Sequence, residues 1–215
     1  MTQTQTFDYV RDPSEIYRRS FATIRAEAKL ERFAGCAIEE RVVVRMIHTS
    51  GMVELADDVE FSGGFARAAS AALQRGASIL CDANMIVSGV TRTRLPAKNQ
   101  VLCFLDDPRV KQLALEQRTT RSAAALSLWA EQLQGAVIAI GNAPTALFRL
   151  LELLGETSVR PAAVIGLPVG FVGAAESKAA LLADARVPCM IVRGRKGGSA
   201  MTVAALNALS SPDEV

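Results

Sequence analysis

The chain has 215 residues, 50% of them apolar, enough for one sizeable core that takes roughly 70% of the unfolded surface inside. Its 24 Lys and Arg nearly balance 22 Asp and Glu, and a formal charge of +2 argues against the broadly basic face that nucleic-acid binding needs. No apolar run is long enough to span a membrane. One histidine and four well-separated cysteines, none in a C-x-x-C pair, leave little from which to build a protein-held metal site, so neither a metal nor another cofactor is expected.

The opening MTQTQTFDYVRDP is polar and lacks the apolar centre of a signal peptide, which reads as a soluble cytoplasmic protein with free, buried thiols at Cys36, Cys81, Cys103 and Cys189. Asp12-Pro13-Ser14-Glu15 is a helix start: Asp12 caps, Pro13 suits the first position, and Glu15 completes a capping-box pattern. A helix to about Arg32 follows, with Tyr17, Phe21, Ile24 and Ala28 on one side. After Gly35, short apolar runs alternate with Ala-rich stretches: VVVRMI at 42–47, SILC at 78–81, VLCFL at 101–105, AVIAI at 136–140, AAVIG at 162–166 and CMIVR at 189–193. Runs this short without strict alternation predict parallel strands covered on both faces. Between most of them lie helical segments, at 65–75, 121–133, 144–154 and 176–184. The repeated strand-then-helix order predicts a single α/β domain over 1–215. Its expected architecture is a three-layer, doubly wound, mainly parallel sheet of five or six strands, flavodoxin- or Rossmann-like, with an N-terminal helix.

In such folds ligands bind outside the carboxyl ends of the strands. The residues that follow the runs include His48-Thr49-Ser50-Gly51, Asp82 to Met85, Gly141-Asn142, the LPVGFVG stretch at 167–173 and GRKGGS at 194–199. One edge is therefore expected to gather a histidine, small polar groups, glycines and cations. No Gly-x-Gly-x-x-Gly follows a strand, and GRKGGS lacks Walker A spacing, which excludes a specific nucleotide-phosphate signature. What GRKGGSA offers, with a helix beginning near Ser199, is an anion cradle of free N–H groups and two cations; a solvated basic turn is an equal reading. Arg121 opens the segment RSAAALSLW, where a cation opposes the helix dipole by about 0.3–1 kcal/mol, so an anionic partner would account for it as well as chance would. His48, read as ending a strand beside a Gly-containing turn, stands evenly between a structural and a catalytic residue.

The segments VRMIHTSGM, SILCDANMIVSGVT, TRSAAALSLW, AIGNAPTALF, GLPVGFVGAAESK and GRKGGSAM, in this order from about Asp8 to Leu209, resemble the precorrin-8X methylmutase (precorrin isomerase) family of cobalamin biosynthesis. The resemblance implies a homodimeric α/β isomerase that moves a methyl group from C-11 to C-12 of a corrin precursor. The product is hydrogenobyrinate, or its cobalt-containing counterpart, and no methyl donor or redox cofactor takes part. It implies His48 as the catalytic residue and places Arg121 in the substrate pocket. A flat apolar macrocycle fringed by carboxylates calls for small wall residues and a rim of N–H groups, hydroxyls and cations. Ser20, Thr49, Ser50, Arg121, Asn142, Gly170, Arg195 and Lys196 are the expected substrate-binding residues, with the ligand enclosed near the subunit interface. A non-catalytic tetrapyrrole carrier is the alternative, and a metal-inserting chelatase is disfavoured by the single histidine.

Overall fold

The computed structural model describes residues 7–213; the polar opening MTQTQT, with the expectation attached to it, lies outside the described residues. Helix α1 (Pro13–Glu27) starts as its sequence dictates: the Asp12 carboxylate accepts the Glu15 N–H at 3.1 Å and Pro13 takes the first position. The Glu15 carboxylate turns outward to Arg18 and Arg19 instead of closing the capping box. The helix stops at Glu27, and the rest of the expected segment forms a 3-10 turn, Glu31–Phe33. There follow α2 (Ala37–Ser50), β1 (Val59–Phe61), α3 (Phe65–Gln74), β2 (Ile79–Cys81), α4 (Asn84–Gly89), β3 (Val101–Cys103) and α5 (Arg109–Glu116). The second half runs α6 (Arg121–Ala125), β4 (Val137–Ile140), α7 (Pro144–Glu156), β5 (Ala163–Gly166), α8 (Ala174–Asp184), β6 (Cys189–Val192) and α9 (Ser199–Ser210). Among the described residues no helix is long and apolar enough to cross a membrane.

The sheet has six strands in the order β1-β6-β5-β4-β2-β3, all neighbours parallel except the edge pair β1 and β6. The five parallel strands alone run 2-1-3-4-5, the flavodoxin order, and the order reverses between β2 and β4. Both faces are covered: Val137 and Ala139 pack into the core under α2, α3 and α9, whereas Ile138 and Ile140 pack under α7 and α8.

One expected strand is a helix. The run 42–47 lies inside α2, and every one of its residues is buried. The helix is enclosed through this run because α9 flanks it on one side and α1 on another, and only the row Arg41, Arg45, His48 and Thr49 stays polar. Its β-branched residues cost a few tenths of a kcal/mol each in helix propensity, which burial on this scale outweighs. Glu39 and Glu40 sit in its first turn, and Gly51, in the left-handed region at φ +69°, closes it with an N–H to the Ile47 carbonyl at 2.8 Å. The place of that strand in the sheet is taken by the three-residue edge strand β1. The expected helix at 121–133 divides into α6 and a 3-10 turn, Leu126–Leu128, before the buried Trp129. All four cysteines are free; Cys81 and Cys189 are buried, Cys36 and Cys103 half-buried.

Close approach fixes α9. A Cβ on Gly141 would lie 2.3 Å from Thr202 Oγ1 and 3.1 Å from Ser199 Cα, and one on Gly89 would lie 2.7 Å from Val203 Cγ2. The core ranks residues clearly: Ile138 is fully buried and Phe171 is 83% exposed. Ile138→Ala should lose about 2–5 kcal/mol of stability in urea unfolding. Leu115→Ala, on the exposed side of α5, should stay within about 0.5 kcal/mol. Equal losses would contradict this layering.

Candidate active site

His48 stands in the last turn of α2, so it reaches the site from a helix end and not from a strand as its sequence context suggests. Its Nδ1 is hydrogen-bonded to Ser20 Oγ of α1 at 2.7 Å. Tyr17 and Ser20, three residues apart, share the face of α1 that meets it. The Tyr17 ring lies 5.1 Å away, and Phe21 meets the imidazole edge-on at 5.2 Å. With Nδ1 engaged, Nε2 is the nitrogen open to a ligand. A hydroxyl both donates and accepts, so Ser20 can hold the ring whether or not Nδ1 carries a proton. Burial, and then the positive charge of Arg45, push the His48 pKa down from its ordinary value.

The imidazole borders an open pocket of about 550 Å³ whose walls include Tyr17, Arg45, Thr49, Met85, Thr91 and Asn207, with small residues such as Gly89, Ala200 and Ala204 between them. Met85 and Ala200 belong to the helices that leave the carboxyl ends of β2 and β6, which brings the helix-borne histidine to the expected edge of the sheet. Asn207 is nearly buried, and its side-chain oxygen accepts the Thr91 N–H at 3.0 Å. Among the described residues no three His, Cys, Asp or Glu side chains cluster as a metal site.

Asp82 occupies the point where the strand order reverses. It leaves β2, is 3% exposed, and accepts the backbone N–H groups of Gly141, Asn142 and Ala143 at 2.9, 3.0 and 2.7 Å. Burial raises its pKa, and the three donors offset only part of that rise. Next to it Asn84 donates to Asp106, which also meets Arg121 at 3.4 Å; Arg121 further donates to the Leu105 carbonyl at 3.1 Å. Arg121 thus faces a second open pocket, about 530 Å³, with Lys111.

Beyond β5 and β6 two loops are sewn together. Gly198 N–H donates to Leu167 O at 2.8 Å and Gly170 N–H to Arg195 O at 3.2 Å. Gly197 has φ +156°, and a Cβ there would meet the Leu167 carbonyl at 2.3 Å. The fully buried Lys178 donates to the Lys196 carbonyl from below, and burial pushes its pKa down to about 8 against the pull of Asp58. The Arg195 guanidinium lies 5.0 Å over the exposed Phe171 ring, whereas the Lys196 ammonium is held by Asp58 at 3.0 Å.

Of the residues expected to bind substrate, Ser20 and Thr49 join His48 directly. Gly170, Arg195 and Lys196 form the loop pair; Asn142 is exposed at the start of α7 with its N–H on Asp82, and Arg121 stands on Asp106. Ser50 closes α2 locally, donating to Ile47 O and accepting from Met52 N–H, both at 3.3 Å. Sequence reasoning placed Asp82 to Met85 on this edge, and Met85 does line the pocket, but it missed Tyr17, Arg45, Thr91 and Asn207 there and the role of Asp82. Helical spacing from Ser20 and His48 would have found Tyr17 and Arg45.

The fold is of the flavodoxin type, with one imidazole bordering an open pocket and the cations Arg121, Arg195 and Lys196 along the carboxyl edge of its sheet. The precorrin-8X methylmutase family matches residues 15–211, and the chain belongs to that family. It is 59% identical over 207 residues to precorrin-8X methylmutase of Sinorhizobium sp, covering 96% of this chain and 98% of that protein. It is 40% identical over 195 residues to cobalt-precorrin-8 methylmutase of Methanothermobacter thermautotrophicus, covering 91% of each. A crystal structure of precorrin-8X methyl mutase from Thermus thermophilus superimposes with a TM-score of 0.82 at 42% identity, over 91% of this chain and 94% of that one.

The three N–H donors on Asp82 set a test. Asp82→Ala leaves them without their acceptor; the buried Gly141 N–H alone costs about 1–3 kcal/mol, so a loss of at least about 1 kcal/mol is expected in chemical unfolding. Asp82→Asn keeps one acceptor oxygen and should fall between; an Asn variant as stable as the parent would show that the second carboxyl oxygen contributes nothing.

Proposed function

We propose that the chain is a precorrin-8X methylmutase, shifting a methyl group from C-11 to C-12 of the macrocycle to give hydrogenobyrinate, with His48 as its proton-bearing group. The observation that carries the reading is the sole histidine, held at Nδ1 by Ser20 and bordering an open pocket with small walls, in a chain of this family. A formal 1,5-shift around a conjugated ring needs no nucleophile. It needs electron density drawn towards the ring while the methyl moves, and an imidazolium N–H on a ring nitrogen supplies that. The proton is lent and returned, so the rearrangement balances within the substrate.

The rim reading follows from charge and placement. Arg121 and Arg195 are exposed cations for substrate carboxylates, and the Asn142 side chain supplies a neutral donor. Thr49, whose hydroxyl donates to the Arg45 carbonyl, and Gly170, whose N–H donates to the Arg195 carbonyl, shape the rim; Ser20 acts through the imidazole, and Ser50 serves the helix end. Lys196, shared with Asp58, adds positive potential to the loop pair. Higher identity to a relative named for precorrin-8X than to one named for cobalt-precorrin-8 favours the metal-free substrate. The exposed apolar residues Val169, Phe171 and Val172 favour a homodimer closing over the ligand. Four free cysteines favour a reducing, cytoplasmic setting.

Purified protein in catalytic amounts should convert many equivalents of precorrin-8X, followed by the colour change of the lengthened conjugation; strictly stoichiometric binding would make it a carrier. His48→Ala should lose on the order of 10²–10⁴-fold in rate while still binding hydrogenobyrinate. Wild-type turnover by a folded His48→Ala variant would sink the assignment. Arg121→Ala and Arg195→Ala should each weaken ligand binding, and added salt should weaken the wild type as well. Unchanged affinity in both variants would leave these two as ordinary surface cations.

A further inference from the structure

The His48 pocket contains a second charge that the methyl shift, as described, leaves idle. Arg45 precedes His48 by three residues on α2, so the two side chains leave the same face of the helix. Both border one aromatic ring: the Arg45 guanidinium lies 5.5 Å from the Phe21 centroid, and the imidazole meets that ring at 5.2 Å. Arg45 is only 9% exposed, yet it lines the same pocket as His48. A guanidinium stays charged even when buried, and a fixed charge acts strongly where water is scarce.

From α1, Tyr17 and Ser20 face the imidazole, and from its own helix Arg45. The α4 and α9 walls bring Met85, Val203 and Asn207 with small residues, none of which titrates. Arg45 is the charge that bears on His48, and after burial it is the second cause that disfavours the charged imidazole.

We propose that Arg45 receives one carboxylate of the macrocycle inside the His48 pocket, and that this seating is what allows His48 to take up its proton. The inference rests on His48 as the proton-bearing group. Without ligand, Arg45 repels a proton on the neighbouring ring; a carboxylate seated on the guanidinium cancels that repulsion and is attracted by the imidazolium in turn. Binding and protonation then assist each other by the same factor. A seated carboxylate shifts the balance towards the charged ring, and its absence shifts it towards the neutral one.

The sole histidine makes the test direct, since its ring signals in an NMR titration belong to His48 alone. With hydrogenobyrinate as the probe, the His48 midpoint should rise by about one unit or more on binding. Arg45→Met should raise the midpoint of the empty protein, weaken hydrogenobyrinate roughly tenfold or more, and shrink the ligand-induced rise. Arg45→Lys should recover part of each. An Arg45→Met variant that binds as tightly as the wild type, with the same rise, overturns the proposal. Should Arg45→Met fail to fold, calorimetry of the wild type in phosphate and Tris at one pH decides: proton uptake with binding supports the coupling, and none overturns it. An unmoved midpoint alongside an inactive His48→Ala variant removes the coupling but leaves His48 catalytic, whereas an active His48→Ala variant removes the catalytic reading itself.

Discussion

The depth to which α9 settles onto the sheet governs the rest of the molecule. Gly141, at the end of β4, has no side chain, and Thr202 and Ser199 fill the space that one would take. The Thr202 hydroxyl bonds the Gly198 carbonyl at 3.0 Å, so the contact leaves no polar group stranded. The Gly141 N–H goes to Asp82, so the residue that admits α9 is itself held at the switch point. Upon α9 lies α2, and upon α2 lies α1, which brings Ser20 to His48. The imidazole is thus positioned by a stack of layers referred to the sheet, and a shift in any one of them would be passed to Nε2.

The same stacking explains what could and could not be read from the sequence. Five of the six strands were legible because parallel strands buried on both faces are short apolar runs, and Ile138 and Ala139 indeed face opposite layers. The run at 42–47 has that texture for another reason: in a helix enclosed by its neighbours the polar stripe narrows to Arg41, Arg45, His48 and Thr49, and within the six-residue run itself a single arginine does not separate the two. The arbiters were local, in the acidic first turn at Glu39 and Glu40 and in Gly51 just past the end. Strand β1 was invisible because three residues of an edge strand carry no pattern. Its pairing to β6 is a long-range fact, fixed by Val59 opposite Val192.

The site was legible in its chemistry and not in its grouping. His48, Ser20 and Thr49 converge, whereas Arg121 and the 194–198 turn belong to separate parts of the carboxyl edge. A linear sequence shows which residue types follow which strands, but distances along the edge depend on strand order, and β3 lies at the far end of the sheet from β6. Residues that reach the pocket from helix faces, such as Tyr17 and Asn207, follow no strand at all and carry no signal of that kind.

The charges around His48 suit an imidazole at a helix end. The carbonyl pole of α2 favours a cation there by about 0.3–1 kcal/mol, up to about 2 when partly buried. Burial and Arg45 act in the opposite sense. A carboxylic acid in this position would repel a ligand fringed with carboxylates once ionised. A lysine would bring a strongly hydrated point charge that the partly buried pocket accommodates poorly. Histidine alone titrates in the range where these opposing influences can decide its state. Ser20, able to accept from the protonated ring or donate to the neutral one, makes both states tenable without moving the ring, so the layers that position His48 need not rearrange when its charge changes.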